Sequence, residues 1–329
     1  MKAVVIAPLH PLVRQRLEAA VQTIYAGWAV TRPVETPLPD DQEIISLAKD
    51  AQIIVTPGEL SKQVIDACPA LKIIAVARGD PRGVDLDTAT KRGIQVVYSA
   101  GRNSGAVADL TLAFILMLLR RLVAAHQFVQ DGGWKTWEDL FATPLIEGLE
   151  LSGRTLGLIG YGLIGREVAK RALSFGMHIL VYDPYITLKE VVQRGVSLTI
   201  LPQLLTESDI VSIHCKLTDE TRGLIGADEF RLMKKGAYLI NTARAAVVDE
   251  QALIDALKTE KLSGAALDVY WEEPMPTDSP LLALPNLIHT PHIGGATTEI
   301  DLRTGEIIVE DILALLRGEK AKHLANPSD

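Results

Sequence analysis

Short apolar runs and longer segments of helical periodicity alternate along almost the whole chain, a pattern that predicts α/β layers built on parallel sheets. In the first third, Ala3–Ala7, Ile53–Val55, Ile73–Ala77 and Gln95–Tyr98 are short β-branched runs, with helical patterns such as Val13–Val21 and Lys62–Ala67 between them. These suffice for one small parallel sheet. A long helical stretch then runs from about Ser104 to Gln130, and Gly132-Gly133 ends it. A loop carrying Trp134 and Trp137 follows, and both rings are expected to pack it; then comes the segment Gly148 to Gly153. A second α/β pattern begins at Thr155 and continues to about Ile293. A last helix, roughly Thr298 to Arg317, is expected to end the ordered chain. No internal repeat or low-complexity segment interrupts this order.

With 329 residues, 48% of them hydrophobic, the chain has material for a large buried core and the length of two domains. The net charge of -8 does not attract nucleic acid or anionic lipid, although a small anion answers to the local field of a cleft. The two cysteines, Cys68 and Cys215, form no C-x-x-C pair and no zinc pattern, so neither a metal site nor a disulfide framework is expected. The first strand runs straight into Pro8 and lacks a secretory apolar region. The longest apolar run, Leu110 to Leu119 apart from Thr111, is too short to span a bilayer. The expectation is a cytoplasmic protein with no nucleic-acid or membrane partner.

One segment then changes the picture. Thr155 to Ala169 reads as an apolar strand, a G-x-G-x-x-G turn at Gly160, Gly162 and Gly165, and a helix start. Gly160 permits the tight turn, Gly162 lets the backbone approach a pyrophosphate, and Gly165 lets helix and strand pack closely. The helix N-terminus, at Leu163 and Ile164, offers free N–H donors and a partial positive charge. A second strand, His178 to Tyr182, ends in Asp183, whose carboxylate suits an adenosine ribose and repels a 2′-phosphate; NAD is therefore expected over NADP. The ordinary alternative is a glycine-rich helix start with Asp183 as a cap before Pro184.

Downstream, three strands each deliver one polar residue just past their carboxyl end. Tyr238–Asn241 leads to Arg244, Ala265–Val269 leads to Glu273, and Leu287–Thr290 leads to His292. Open parallel sheets bind ligands outside the carboxyl ends of their strands, so these three can meet over one site. Their chemistry is complementary. A histidine titrates near neutrality and can exchange a proton with an alcohol or carbonyl oxygen. A carboxylate beside it orients the ring and favours its charged form. A guanidinium holds a carboxylate bidentately and polarises a neighbouring carbonyl. Taken singly, Arg244 also fits a surface arginine, Glu273 beside Glu272 a solvated acidic pair, and His292 a loop histidine bonded to backbone.

Across nearly its whole length the sequence resembles the D-isomer-specific 2-hydroxyacid dehydrogenases. The resemblance rests on Gly153–Gly162, Phe175-Gly176-Met177, Ile240–Ala245, Ala266–Tyr270 with Glu273-Pro274, and Pro291–Ala296. It implies an NAD-dependent oxidoreductase acting on a small 2-hydroxy or 2-oxo acid of the glyoxylate, hydroxypyruvate or phosphoglycerate type. Arg244 would bind substrate, Glu273 would partner the histidine, and His292 would be the general acid/base. Asp268 would sit by the nicotinamide amide, and Thr242, Ala243, His214, Cys215, Gly294 and Gly295 would line the cofactor. It implies two doubly wound parallel-sheet domains. A Rossmann NAD-binding domain, 102–297, would be inserted into a flavodoxin-like substrate domain formed by 1–101 and 298–329. The long helix from Ser104 would lie at a domain and dimer boundary, giving a homodimer.

The resemblance also puts the substrate's carboxylate against backbone amides of the loop around Arg78, Gly79 and Asp80. Relatives carry a glycine where Asp80 stands. Its carboxylate would oppose an anion unless Arg82 or Arg78 neutralises it, or it replaces a turn glycine and points to solvent. Leu163 replaces a usual polar residue beside the pyrophosphate, and Lys216 a common proline. Of the other histidines, His289 fits the core or a supporting role and His10 could edge the cleft. Trp271 could wall the substrate pocket or simply pack. One rival reading survives: an NAD(H)-sensing protein like the dehydrogenase-like corepressors keeps the fold and even the triad, and only turnover separates the two. Formate dehydrogenases carry glutamine where Glu273 stands, which argues against that branch.

Overall fold

The computed structural model describes residues 1–30, 37–192 and 195–326, so the expected end of the substrate domain at 327–329 lies outside the described residues. The chain divides into two compact units, 1–103 with 297–329 and 104–296. The second is inserted into the first.

Among the described residues the first unit runs β1 (Lys2–Val5), α1 (Pro11–Glu18), β2 (Gln22–Tyr25), α2 (Asp41–Ala48), β3 (Ile53–Thr56), α3 (Lys62–Ala67), β4 (Ile73–Val76), α4 (Leu86–Lys91) and β5 (Gln95–Tyr98). The strands form one parallel sheet in the order β2-β1-β3-β4-β5, the flavodoxin-like arrangement. Central strands must be apolar on both faces because helices cover both sides, and Ile53, Ile54 and Val55 are indeed all buried. The apolar pattern missed one strand and overran one helix. β2 is a half-exposed edge strand, and α1 stops at Glu18 rather than running on to Val21. α2 is set by its start, where Asp40 and Glu43 form a reciprocal capping box.

A terminal helix, Ile300–Leu316, completes this unit, but it does not end the ordered chain. Buried Asp311 accepts hydrogen bonds from the amides of Lys322 (2.8 Å) and His323 (3.1 Å). The tail so held runs beside β5: Tyr98 donates to the His323 carbonyl and Ala325 to that of Val96. The expectation failed here because a polar tail carries no periodicity. Its order comes from one buried carboxylate and from an open sheet edge that needs partners.

The second unit opens with α5 (Ser104–Leu119), α6 (Leu122–Gln130) and α7 (Trp137–Phe141). The expected single helix is thus two, broken at Arg121, whose φ of 53° cannot continue a right-handed helix. Trp134 and Trp137 do not pack into a core: they stand exposed, edge to face with centroids 5.5 Å apart. Then follow β6 (Thr155–Ile159), α8 (Leu163–Ser174), β7 (His178–Tyr182), α9 (Leu188–Val192), β8 (Ser197–Leu198), α10 (Leu201–Glu207), β9 (Ile210–Ile213), α11 (Ala227–Leu232), β10 (Ala237–Asn241), α12 (Glu250–Lys258), β11 (Leu262–Leu267) and β12 (Leu287–His289). The parallel sheet has the order β12-β11-β10-β9-β6-β7-β8, a Rossmann arrangement. It reverses direction between β6 and β9, the topological switch point where such sheets bind ligands. No helix among the described residues is long and apolar enough to cross a membrane.

Candidate active site

The glycine turn sits at that switch point. Gly160, at φ 96°, donates to the Tyr182 carbonyl at 2.8 Å, and a Cβ on it would stand 2.5 Å from the amide nitrogen of Cys215. A Cβ on Gly165 would stand 2.4 Å from the Gly160 carbonyl oxygen, so helix α8 can reach the strand only through a glycine. Gly162 is different: a Cβ there meets nothing within 4 Å. It precedes α8 with no side chain capping the helix, and Leu163 beside it is 58% exposed. An uncapped helix start over open space is a cradle for an anion, and the residues fit the pyrophosphate of a dinucleotide.

Asp183 lies at the end of the neighbouring strand, as its sequence position requires. Its carboxylate accepts from the amides of Tyr161 (2.8 Å) and Tyr185 (3.0 Å), so it braces the glycine turn as well as bordering it. On the other side, His214 and Cys215 follow β9. His214 bonds Ser212 through Nε2 at 2.8 Å, and burial drives its pKa down to about 3. Burial likewise pushes the Cys215 thiol up to about 11. Both are neutral groups at physiological pH, suited to lining a pocket rather than to reacting.

Arg244, Glu273 and His292 follow β10, β11 and β12, which are neighbours in the sheet. Their loops are held by buried polar side chains. Asn241, at the end of β10 and fully buried, donates through Nδ2 to the Arg244 carbonyl (2.9 Å) and accepts from the amide of Ala243 (3.0 Å). Thr242 packs its hydroxyl 3.2 Å from that of buried Thr111. Asp268, only 1% exposed, accepts from the Thr290 hydroxyl (2.6 Å) and from the amides of Ile293 (2.8 Å) and Gly294 (2.7 Å). Its carboxylate therefore clamps the loop that carries His292. Gly294 must be a glycine, because a Cβ there would stand 2.8 Å from Asp268 Oδ2; Gly295 beyond it is half-buried.

The imidazole Nδ1 of His292 stands 2.7 Å from Oε2 of Glu273, and Oε1 of Glu273 accepts from the Tyr270 amide at 2.9 Å. Partial burial raises the Glu273 pKa. The hydrogen bonds from His292 and Tyr270, with the charges of His292 and Arg244, outweigh that and hold the carboxyl below its ordinary range. With one ring nitrogen so engaged, Nε2 is left to meet a reacting oxygen. Glu273 and His292 border a cavity of about 650 Å³ that also touches Tyr270, Met275 and His289. The His289 ring stacks on Tyr270, with centroids 6.2 Å apart. Trp271 is anchored by a hydrogen bond to the Val248 carbonyl (3.0 Å), and His10 caps α1 through the Leu12 amide.

Asn241 and Tyr270 escaped the sequence reading as site residues. A fully polar side chain ending an apolar strand was the available signal for Asn241. Tyr270 had none beyond its place next to Asp268; its hydroxyl donates to the Thr290 carbonyl at 3.0 Å.

Arg78, Gly79 and Asp80 belong to the first unit, in the loop after β4. The question raised by Asp80 has a direct answer: Arg82 donates to Oδ2 through Nη2 (2.7 Å) and Nε (3.0 Å). The Arg82 hydrogen bond, above all, keeps the Asp80 carboxyl below its ordinary range.

With this geometry in hand, comparison with known proteins decides the family. Residues 112–294 match the model of the D-isomer specific 2-hydroxyacid dehydrogenase NAD binding domain. The chain belongs to the D-isomer-specific 2-hydroxyacid dehydrogenase family. Among curated relatives of this dehydrogenase, a glyoxylate reductase of Thermofilum pendens is 43% identical over 84% of this chain and 81% of its own length. A D-3-phosphoglycerate dehydrogenase of Archaeoglobus fulgidus is 38% identical over 90% of this chain, which spans 56% of that longer protein. Among solved structures, a protein of Thermus thermophilus superposes with a TM-score of 0.80 at 36% identity, covering 99% of this chain and 100% of its own. The chain is a nicotinamide-dinucleotide-dependent oxidoreductase of the CH–OH group of 2-hydroxy acids.

Proposed function

We propose that this dehydrogenase moves a hydride between NAD(H) and a small 2-hydroxy or 2-oxo acid of the glyoxylate, hydroxypyruvate or phosphoglycerate type, with His292 as its general acid/base. The observation that carries the reading is the 2.7 Å His292–Glu273 pair, in the loops after β12 and β11, with β10, which leads to Arg244, next in the sheet. A bound nicotinamide supplies or accepts the hydride. The protein's own part is to hold the acid and to move one proton. Arg244 takes the substrate's carboxylate and polarises its carbonyl. In reduction, Nε2 of protonated His292 gives a proton to the developing alkoxide; in oxidation, neutral His292 takes it from the hydroxyl. Glu273 holds Nδ1 and stabilises the charged ring in both directions.

Asp183 supports a preference for NAD over NADP, since a second negative group near it is opposed. Asp268, Asn241 and Thr242 fix the loops, and Gly160, Gly162, Ile164 and Gly165 receive the pyrophosphate. In the first unit, the backbone of Arg78, Gly79 and Asp80 is proposed to meet the substrate's carboxylate. The aromatic face of α6 and α7 supports a homodimer. The two free cysteines, Cys68 and Cys215, suit a reducing cytoplasm. Following NADH absorbance against a panel of 2-oxo acids tests the assignment: turnover of at least one is expected, and inertness toward all of them with NADH bound would leave a sensor.

A further inference from the structure

Glu273 and His292 stand on separate loops, and one residue of the first loop holds the second. Tyr270 follows β11, three residues before Glu273. Its amide donates to Oε1 of Glu273 at 2.9 Å. Its hydroxyl crosses to the loop after β12 and donates to the Thr290 carbonyl at 3.0 Å; the Leu267 carbonyl, at 3.3 Å, is the more distant acceptor. The same Thr290 carbonyl accepts from the His292 amide at 3.0 Å. One tyrosine thus meets the carboxylate with its backbone and the turn beneath the imidazole with its side chain.

That turn needs holding. His292 has a left-handed backbone, with φ at 54°, a conformation that residues with a Cβ keep only where their surroundings impose it. The His292 and Glu273 side chains are 49% and 37% exposed, so packing alone does not fix them. The Tyr270 ring is fixed. It packs against the buried cluster that contains Leu267 and Leu281, and it stacks on His289 with 23° between the ring planes. Burial, and then the Asp268 charge, push its phenol up to about 12, so the O–H remains a donor throughout the neutral range. A phenylalanine would fill the same space and stack on the same ring. What the tyrosine adds is the bond to Thr290.

We propose that Tyr270 is a positioning residue, whose hydroxyl holds the His292 turn in register with Glu273. This rests on the reading of His292 as the general acid/base and deepens it. Proton transfer is sensitive to small displacements of the transferring group, so losing the bond costs rate more than binding.

The test is a double-mutant cycle on the single-turnover rate of NADH oxidation, with glyoxylate, hydroxypyruvate or 3-phosphohydroxypyruvate, whichever is reduced fastest. Tyr270→Phe is expected to slow the natural protein about tenfold, with the Kd for NADH unchanged by fluorescence. In the Glu273→Ala background the same substitution is expected to change the rate by less than about twofold, because the register it disturbs is already gone. A merely structural hydroxyl would slow both backgrounds alike. That result, or a Tyr270→Phe rate within about twofold of the natural one, overturns the proposal. If no acid is turned over, the dehydrogenase reading fails by itself, and crystal structures of the natural protein and of Tyr270→Phe decide the register. The Nδ1–Oε2 contact is expected to hold in the first and to open beyond about 3.2 Å, the reach of a hydrogen bond, in the second. A contact unchanged in Tyr270→Phe overturns the positioning role.

Discussion

His292 Nδ1 and Glu273 Oε2 are 2.7 Å apart across 19 residues of sequence, because β11 and β12 are adjacent in the sheet and both loops leave their carboxyl ends. Two consequences can be measured. His292→Ala is expected to lower kcat by roughly 10²–10⁴-fold, the usual worth of a positioned acid/base. NADH binding, followed by fluorescence, should persist; turnover retained at neutral pH would remove His292 from its role. Glu273 is held below the ordinary carboxyl value of 4.5, so its pairing with His292 is complete above that value and is lost only as pH falls through the lower, folded value. The acid limb of kcat/KM for reduction that belongs to Glu273 should therefore lie below pH 4.5. A limb centred above it that vanishes in Glu273→Gln would contradict the geometry.

Asp268 is the second point of leverage. One buried carboxylate receives a hydroxyl and two amides from the loop that carries His292. Asp268→Asn leaves one oxygen for three donors and turns an NH₂ toward an N–H. Each buried group left unpaired costs about 1–3 kcal/mol. The variant is expected to lose about 2–4 kcal/mol by urea denaturation and to lose kcat with it. Gly294→Ala, which drives a Cβ against the same carboxylate, should show the same pairing of losses on a smaller scale. Activity falling with stability intact would mean that Asp268 acts on the cofactor rather than on the loop.

Much of this is legible in the sequence. The glycine motif and the polar residues after three apolar strands pointed to the strand ends where Glu273 and His292 pair, because a parallel sheet exposes its loops there. Side chains that brace others left fainter marks. Asn241 and Asp268 are single polar residues at the ends of apolar runs, and only the structure shows which amides they hold. The break at Arg121 was invisible because the residues on both sides form helices well; a left-handed conformation at one arginine decides it. The neutralisation of Asp80 by Arg82 was an open alternative, since two residues' spacing permits the contact without requiring it.

Asp183 carries a specificity prediction. Asp183→Ala removes the carboxylate that opposes a 2′-phosphate, and also frees the Tyr161 amide beside the glycine turn. The ratio of kcat/KM with NADH to that with NADPH is expected to fall at least tenfold, while affinity for NADH also drops. An unchanged ratio would leave Asp183 with the bracing role alone.

His214 makes acid stability testable. Its folded pKa is depressed from 6.5 to about 3 by burial, so the folded state favours the neutral ring. The unfolded chain binds a proton near pH 6.5 that the folded chain refuses. Its contribution is thus present above pH 6.5 and lost as pH falls below it, by about 1.4 kcal/mol per unit. Between pH 7.5 and pH 5 the natural protein should lose about 2 kcal/mol on this account, and His214→Asn should lose less over the same interval. Parallel pH dependences would show that His214 is charged or solvated in the folded state.

The assembly prediction comes from α6 and α7, two helices with no buried residue. None of the side chains of α6 is fully buried, and Trp137 (61%) and Phe141 (63%) stand exposed with their rings stacked, centroids 6.3 Å apart. Trp134, also exposed, meets Trp137 edge to face, and Leu122, Val123 and Val129 of α6 are exposed as well. A contiguous aromatic patch of this kind is uncommon on monomers, and large aromatic side chains are what protein interfaces gather at their centres. A second copy of the chain would bury it. Light scattering at micromolar concentration is expected to give about twice the 35.7 kDa chain mass. Trp137→Asp with Phe141→Asp should shift the protein to monomer, because two carboxylates in the middle of an apolar contact are costly to desolvate. A natural protein that runs as a monomer, or a double variant that stays dimeric, would place the interface elsewhere.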